Sequence, residues 1–289
     1  MFNHCCALAR KSRNCHFTRG ARTLPRDRLN PYAGFVPPPV VLHHGLFGFG
    51  DFELGKLKVR YFAGGIDRAI GDRGHPVIIS RVHPTGGIAR RAAELKETIL
   101  RQLKSIDREK ERVIIFAHSM GGLDARYMIS KLGMDDRVQT LVTICTPHRG
   151  SPYANWCVEH IGQRLGGFQL MNMLEFDVQA ISDLTIEKCS RFNDEVTNAP
   201  AVKYFSVAGS RPLHRVPAFL MHSFQVIHDA EGPNDGLVSV KSAQWGEHLG
   251  TWPADHMHAI NKRLVLEIKE PTGDITPYYM KLLDRVLKS

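Results

Sequence analysis

The sequence predicts an α/β fold with a mostly parallel central sheet and helices on both of its faces. Short apolar runs recur along the chain, and stretches with apolar residues at helical spacing separate them. Strands that alternate with helices in this way are typical of parallel sheets, which are buried on both faces. The 289 residues, of which 43% are hydrophobic and 23% charged, are enough to build a buried core of this kind.

The individual elements follow from the apolar pattern. Apolar residues at helical spacing over 88–103 and 120–132 predict two helices. The three prolines Pro37, Pro38 and Pro39 end the N-terminal region, because proline does not fit the interior of a strand. The predicted strands are Val40–Leu42, Pro76–Val82, Arg112–Ala117, Val138–Cys145, Val202–Ala208 and Phe224–Ile227.

One long insertion interrupts the alternation of strands and helices. Residues Ser151–Asn198 are amphipathic and compatible with helices, and they are many for a connection between two strands. Lids over active sites are drawn from such insertions. The segment is therefore interpreted as a helical lid, with ordinary crossover helices that pack on the core as the alternative.

The N-terminal segment 1–30 is a basic tail that precedes the α/β domain of residues 31–289. It contains hydroxyl residues and no acid before Asp27, and six cations: Arg10, Lys11, Arg13, Arg19, Arg22 and Arg26. This composition is typical of a mitochondrial transit peptide and predicts a mitochondrial protein. A basic tail without a targeting role, on a cytoplasmic protein, is the alternative.

The rest of the chain does not favour nucleic acid as a partner or a membrane span. Removing the six tail cations from the net charge of +9 leaves +3, and basic and aromatic residues do not interleave elsewhere. No run of 18 apolar residues is present. Three cysteines lie outside the tail: Cys145, Cys157 and Cys189. Their odd number and the absence of CxxC spacing favour free thiols in a reducing compartment.

The stretch from Phe116 to Gly122 contains the predicted nucleophile. A strand leads through a small-x-Ser-x-Gly turn into a helix, with Ala117 and Gly121 two positions on either side of Ser119. This is the pattern of a nucleophile elbow, a turn so tight that larger side chains would collide. At the end of a strand and the start of a helix, Ser119 would lie beside N–H groups that stabilise an oxyanion.

A serine nucleophile needs a histidine base and an acid that orients the base. After an elbow of this kind the acid and then the histidine follow in the chain. Asp235 lies in a turn-rich segment, while Asp229 and Asp255 are rival acids. Asp255 is a poor orienter of its neighbour His256, because adjacent side chains in extended structure point apart. His256 and His258 both suit the order, and the pattern alone does not choose between them.

The loop after the first strand is the candidate for the second half of an oxyanion hole. It reads His43-His44-Gly45-Leu46-Phe47-Gly48, and Gly45 and Gly48 let the backbone turn its N–H groups toward the serine. The predicted donors are the N–H groups of Leu46 and of Met120, the residue after the nucleophile. A glycine turn without a ligand role is the alternative.

Five motifs in this order resemble those of the bacterial true lipases and the related mitochondrial triacylglycerol lipases of fungi, which have the α/β-hydrolase fold. The similarity extends from about Val40 to Asn261. The motifs are His44-Gly45-Leu46, Ala117-His118-Ser119-Met120-Gly121-Gly122, Thr146-Pro147-His148-Arg149-Gly150-Ser151, Asn234-Asp235-Gly236-Leu237-Val238 and His256…Asn261.

The resemblance implies a catalytic triad of Ser119, Asp235 and His256, and it is the resemblance that chooses His256 over His258. It also implies the oxyanion donors Leu46 and Met120, a mobile lid, no cofactor, and hydrolysis of long-chain acylglycerol esters. Peripheral contact with a lipid or membrane surface is compatible with that activity. In bacterial relatives an aspartate that helps to bind calcium stands where this chain has His258, so no metal site is predicted.

Because a fold does not determine a substrate, other functions remain open at this point. A thioesterase, a phospholipase or an acyltransferase would use the same acyl chemistry on the same fold. A non-catalytic binding protein is a further alternative, although binding alone requires neither a triad nor an oxyanion hole.

Overall fold

The structure is a computed structural model that describes residues 36–46, 48, 52–54, 57–59, 61–162, 179–262 and 273–289. Within these residues, Pro37–Ser289 form one compact unit. The predicted tail 1–30 lies outside the described residues, so the transit-peptide interpretation stays a prediction.

Six parallel strands form the central sheet in the order β4-β1-β5-β6-β7-β8, and two further strands, β2 and β3, form a separate antiparallel pair. The strands are β1 (Val40–His43), β2 (Phe52–Leu54), β3 (Leu57–Val59), β4 (Val77–Ile79), β5 (Val113–His118), β6 (Val138–Ile144), β7 (Lys203–Gly209) and β8 (Glu247–Trp252).

Helices connect the strands and cover the sheet. They are α1 (Ile66–Gly71), α2 (Ile88–Ser105), α3 (Gly121–Lys131), α4 (Pro152–Gly162), α5 (Gln179–Asp183), α6 (Ile186–Glu195), α7 (Met221–Glu231), α8 (Val240–Ala243) and α9 (Thr276–Leu287), with short 3₁₀ turns at Leu213–Arg215, Ala218–Leu220 and His258–Ile260. The two helices predicted from apolar spacing are confirmed as α2 and α3.

Alternation along the central strands places a core on each face of the sheet. Val40 and Leu42 pack in a cluster with residues of α1 and α9, whereas Val41 packs in a second cluster with residues of α2 and α3. Both clusters are fully buried at these positions, as expected for a parallel sheet with helices on both sides. The predicted α/β class is thereby confirmed.

The register of the strands brings the candidate site residues to one edge of the sheet. His43 at the end of β1 is opposite Ala117 of β5, and His118 is opposite Ile144 of β6. Ligand sites of parallel sheets lie at the carboxyl ends of the strands. The loop after β1 and the turn after β5 are therefore neighbours.

Two details of the strand prediction were wrong. Phe224–Ile227 is part of helix α7, in which Phe224 and Ile227 are buried and Gln225 and His228 exposed. An apolar run of four residues does not distinguish a strand from a buried helical face. The sixth strand is instead β8. It escaped the prediction because it is an edge strand, in which Glu247, Leu249 and Thr251 do not form an apolar run.

The insertion Ser151–Asn198 begins and ends in helices, namely α4, α5 and α6. Its middle, residues 163–178, lies outside the described residues, and so do the apolar residues that favoured a lid. The helical content of the described parts agrees with the sequence, whereas the lid itself stays a prediction.

Within the described residues, Cys145, Cys157 and Cys189 are free thiols, as the spacing predicted. No helix in this part of the chain is both long enough and apolar enough to cross a membrane.

Candidate active site

Ser119 occupies the turn between β5 and α3 in a conformation that non-glycine residues rarely adopt. Its φ angle is +56°, in the left-handed region, and its residue is 8% exposed. The turn is held by a hydrogen bond from the Ser119 N–H to the Ile144 carbonyl (2.9 Å) and by one from the Thr146 hydroxyl to the Ser119 carbonyl (2.7 Å). A non-glycine residue held in this strained backbone conformation is typical of functional sites.

Glycine is required at the two positions that follow the Ser119 turn, because atoms of neighbouring residues approach their backbone closely. A methyl group on Gly121 would lie 2.7 Å from the His44 carbonyl oxygen, and one on Gly122 would lie 2.3 Å from the Thr146 hydroxyl. These contacts explain why the elbow pattern contains glycine after the serine.

The loop after β1 touches the candidate nucleophile. A methyl group on Gly45 would lie 2.6 Å from the Ser119 Cβ atom, so any larger residue would push the loop and the serine apart. The half-buried Leu46 packs in the cluster that contains Met120. The structure therefore places the side chains of Leu46 and Met120 in one cluster beside the Ser119 turn.

A buried polar network that sequence reasoning missed supports this loop. The Arg91 guanidinium donates to the His44 carbonyl (2.7 Å) and to the Asp124 carboxylate (2.8 Å). The His43 ring contacts the same carboxylate (3.0 Å) and, through Nδ1, the Ser80 hydroxyl (2.7 Å). A charged residue on the buried face of α2 is the one sequence signal that indicated this network, because arginine is rarely buried without partners.

Asp235 and His256 form a buried pair. The His256 Nδ1 donates to Asp235 Oδ2 over 2.8 Å, and the His256 N–H donates to the Asp235 carbonyl over 2.8 Å. The other carboxylate oxygen accepts from the N–H groups of Leu237 (2.9 Å) and Val238 (2.7 Å). These donors keep the carboxylate in place and leave its remaining oxygen for the imidazole.

The rival acids and the rival histidine have other partners. Asp255 accepts a hydrogen bond from the Arg211 guanidinium (2.7 Å), and both side chains are buried. Asp229 is exposed and accepts from Gln225. The His258 Nε2 donates to the Gly273 carbonyl (2.6 Å). None of these three contacts leads to Ser119.

Burial keeps several titratable groups near the pair in their neutral form. Burial lowers the pKa of His118 well below its usual range, and the nearby His256 lowers it further. Burial and the Asp235 carboxylate raise the pKa of the Cys145 thiol well above its usual range. The His118 ring and the Cys145 thiol are therefore neutral neighbours of the Asp235–His256 pair.

One group of side chains near the site has the composition of a metal site. The ligand atoms of His118, Cys145 and His256 lie within 4.8 Å of one another. Both ring nitrogens of His118 and the Nδ1 of His256 are engaged in hydrogen bonds. The raised pKa of the Cys145 thiol keeps this group protonated. A cation there would have to break these hydrogen bonds, so the donor set does not fit a metal ion.

Comparison with known proteins matches a family model and several triacylglycerol lipases. The family model of the PGAP1-like alpha/beta domain matches residues 87–227. Triacylglycerol lipase 2 of Saccharomyces cerevisiae is 31% identical over 248 residues, which are 79% of this chain and 73% of the yeast protein. A triacylglycerol lipase of Vibrio cholerae is 25% identical over 276 residues, which are 83% of this chain and 85% of that protein.

Solved structures with the same fold include lipases. The Staphylococcus hyicus lipase has a TM-score of 0.69 at 18% identity and covers 88% of this chain and 98% of its own. A Bacillus licheniformis lipase has a TM-score of 0.65 at 23% identity, and the match covers 86% of this chain and 92% of the lipase. The predicted α/β-hydrolase fold is confirmed, and the chain belongs to the lipase family that includes yeast triacylglycerol lipase 2.

Proposed function

We propose that this chain hydrolyses carboxylic esters of lipids, with triacylglycerols as the main substrate and Ser119 as the nucleophile. The observation that carries the proposal is the buried Asp235–His256 hydrogen bond of 2.8 Å. It lies at the carboxyl ends of the strands, where the Ser119 turn and the Gly45 loop meet. The names of the yeast and bacterial relatives support the substrate class.

The reaction would proceed in two acyl transfers. His256 accepts the Ser119 proton while Ser119 Oγ attacks the ester carbonyl, and the N–H groups of Leu46 and Met120 stabilise the oxyanion. His256 then donates the proton to the leaving alcohol. Water, activated by the same histidine, releases the fatty acid and restores Ser119. Asp235 orients the imidazole and stabilises its cationic form during both steps.

Hydrolysis of p-nitrophenyl esters of increasing chain length tests this proposal. We expect activity that rises toward long chains, and a fall in turnover of about 10⁴- to 10⁶-fold in Ser119→Ala. Ser206→Ala, at a buried serine of β7, is the matched control and should retain activity. An unchanged rate in Ser119→Ala would refute the assignment of the nucleophile.

Other acyl substrates are separated by a parallel panel. A thioesterase or a phospholipase would prefer acyl thioesters or phospholipids over triacylglycerol, and an acyltransferase would need an acceptor alcohol. Activity confined to short esters would retain the Ser119 chemistry and exclude long-chain lipids as substrates. Failure to react with a fluorophosphonate would favour a binding protein.

The proposal includes a mitochondrial location and peripheral contact with a lipid surface. Its support is the six cations and the absence of acid in residues 1–26. Residues 1–30 fused to a fluorescent protein should reach mitochondria, and replacing the six cations by glutamine should leave the fusion in the cytoplasm. Cytoplasmic fluorescence of the unaltered fusion would contradict the location.

A further inference from the structure

A short segment beside the proposed site exposes large apolar side chains. Leu213, Phe219 and Met221 are 36%, 58% and 44% exposed, and they lie within nine residues of one another in the chain. We define residues 213–222 as the 213–222 surface; it comprises two 3₁₀ turns and the first residues of α7. Apolar side chains exposed close together are typical of contact sites.

The buried side of the same segment packs on the loops that carry the proposed acid and base. Val216, Leu220 and Phe224 form a cluster with Leu237 and Met257. The first of these partners is two residues after Asp235, and the second directly follows His256. The 213–222 surface thus lies on the outer side of a hydrophobic cluster, and the buried side of that cluster packs against the loops of Asp235 and His256.

The chain segment that contains this surface is free of acidic residues. From residue 196 to residue 228 the chain contains no aspartate or glutamate. Within the 213–222 surface, His214, Arg215 and His222 are exposed. A contact surface that combines apolar groups with an arginine fits an anionic lipid layer, in which the headgroups are negative and the interior is apolar.

Aromatic rings of α4 extend the surface. The Trp156 ring lies 4.7 Å from the His222 ring and stacks on His160 at 4.3 Å, and Tyr153 stacks on Trp156 at 5.6 Å. Tryptophan and tyrosine are enriched where one end of a side chain is apolar and the other is wet, as at a membrane surface.

We propose that the 213–222 surface docks on an anionic lipid surface, with Phe219 and Met221 inserted among the acyl chains and Arg215 near the headgroups. The inference deepens the proposed function, since it rests on a substrate that lies in a lipid layer. It would bring the site to the layer from the side of the Asp235 and His256 loops.

Vesicle sedimentation of the full chain tests the docking surface. Ser119→Ala is used as the parent protein so that the lipids are not consumed. We expect stronger binding to vesicles of phosphatidylcholine with phosphatidylglycerol than to phosphatidylcholine alone, and weaker binding as salt is raised. Adding Phe219→Ser and Met221→Ser should weaken binding by about tenfold or more, because the two apolar side chains proposed to insert among the acyl chains are lost.

The matched control is Leu100→Ser, at a leucine of α2 that is 38% exposed. It should bind as the parent does, and the melting temperatures of all variants report on folding. Equal binding of the double variant and the parent, or equal loss in Leu100→Ser, would overturn the proposal. A dimer that dissociates in the double variant without any effect on vesicle binding would replace the lipid by a second copy. Hydrolysis of a dissolved short-chain ester by the wild-type protein tests the proposed function separately.

A different observation concerns the alignment of the site. The Gly45 N–H donates to the Tyr61 hydroxyl (3.1 Å), which in turn contacts His118 Nδ1 (2.8 Å). The His118 Nε2 contacts the His256 carbonyl (3.1 Å). The carbonyl can only accept, so Nε2 carries the proton, Nδ1 accepts, and the tyrosine hydroxyl donates to it. Both side chains are buried, and burial lowers the pKa of His118 and raises that of Tyr61, so both are neutral.

This chain of hydrogen bonds joins the oxyanion loop to the backbone of the proposed base. The geometry points to Tyr61 and His118 as positioning residues that hold Gly45 and His256 in register on either side of Ser119. His118 is adjacent to the serine, and its ring packs 4.6 Å from the His256 ring. Small displacements of such groups reduce turnover more than they reduce binding.

The substitution Tyr61→Phe removes one hydroxyl and leaves the ring. We expect kcat for a dissolved short-chain ester to fall by about tenfold or more while KM changes little. Tyr204→Phe is the matched control, because the Tyr204 hydroxyl also accepts from a backbone N–H, that of Ala199 (3.0 Å), remote from the site. A kcat in Tyr61→Phe equal to that of Tyr204→Phe would overturn the positioning role, whatever the melting temperatures of the two variants.

Discussion

At the scale of single residues, two buried aspartates have different partners. Asp235 bonds to the imidazole of His256, whereas Asp255 pairs with the guanidinium of Arg211. Only the first contact would influence which nitrogen of the imidazole carries the proton. The second holds the turn that follows the base, because Asp255 also accepts from the N–H groups of Met257 and His258.

We expect Asp235→Asn to lower kcat by about 10³- to 10⁴-fold with little loss of folding, because an amide favours the wrong tautomer of the histidine. Asp255→Asn should show the reverse: a loss of about 3 kcal/mol in the free energy of unfolding, since Arg211 is left buried without its partner, and a smaller fall in kcat. Steady-state kinetics and urea unfolding of both variants check this. Equal kinetic effects would contradict the assignment of the acid.

At the scale of elements, the contact between the β1 loop and the β5 turn determines the shape of the proposed oxyanion site. The contact depends on a missing side chain, because a Gly45 methyl would overlap Ser119. We expect Gly45→Ala to reduce kcat by about 10²-fold or more by moving the proposed donor of Leu46.

Gly71→Ala is the control for this glycine. A methyl group on Gly71, at the end of α1, meets nothing within 4 Å, so the variant should keep its activity. Kinetics of the two variants with one dissolved ester provide the comparison. Normal turnover in Gly45→Ala would show that the loop tolerates displacement and that its N–H groups do not stabilise the oxyanion.

At the scale of the whole molecule, buried histidines make stability depend on pH. Burial lowers the pKa of His43, His118 and His148, and it lowers that of His44 to about 3. In the unfolded chain these groups titrate near 6.5. Below that pH the unfolded state binds more protons than the folded state, so the free energy of unfolding decreases as the pH falls.

The expected decrease is about 1.4 kcal/mol per pH unit for each of these histidines once the pH is well below 6.5. Urea unfolding at intervals between pH 7.5 and 5.0 measures it. His148→Gln should reduce the slope by one such contribution, because its ring is buried against Arg126 and Thr143. A free energy of unfolding that stays constant or increases over this range would contradict the prediction.

Local patterns in the sequence were sufficient for much of the fold. The apolar spacing of α2 and α3 and the buried strands β1, β5, β6 and β7 are visible in short windows, because each strand or helix buries its own repeating face. The same windows failed at Phe224–Ile227, where four apolar residues suit a strand and a helix equally, and at β8, whose edge position leaves it polar.

The candidate site divides in the same way. By itself, the sequence determined the elbow around Ser119 and the glycine loop at Gly45, since both depend on residue size within a few positions. The residue pattern left rival acids and histidines open, and the resemblance to known lipases chose Asp235 and His256. Only the tertiary structure showed the contact between these two side chains, and that Tyr61 and Arg91 support the loop. Those partners are far apart in the chain, and contacts between distant residues leave no periodic signal in a single sequence.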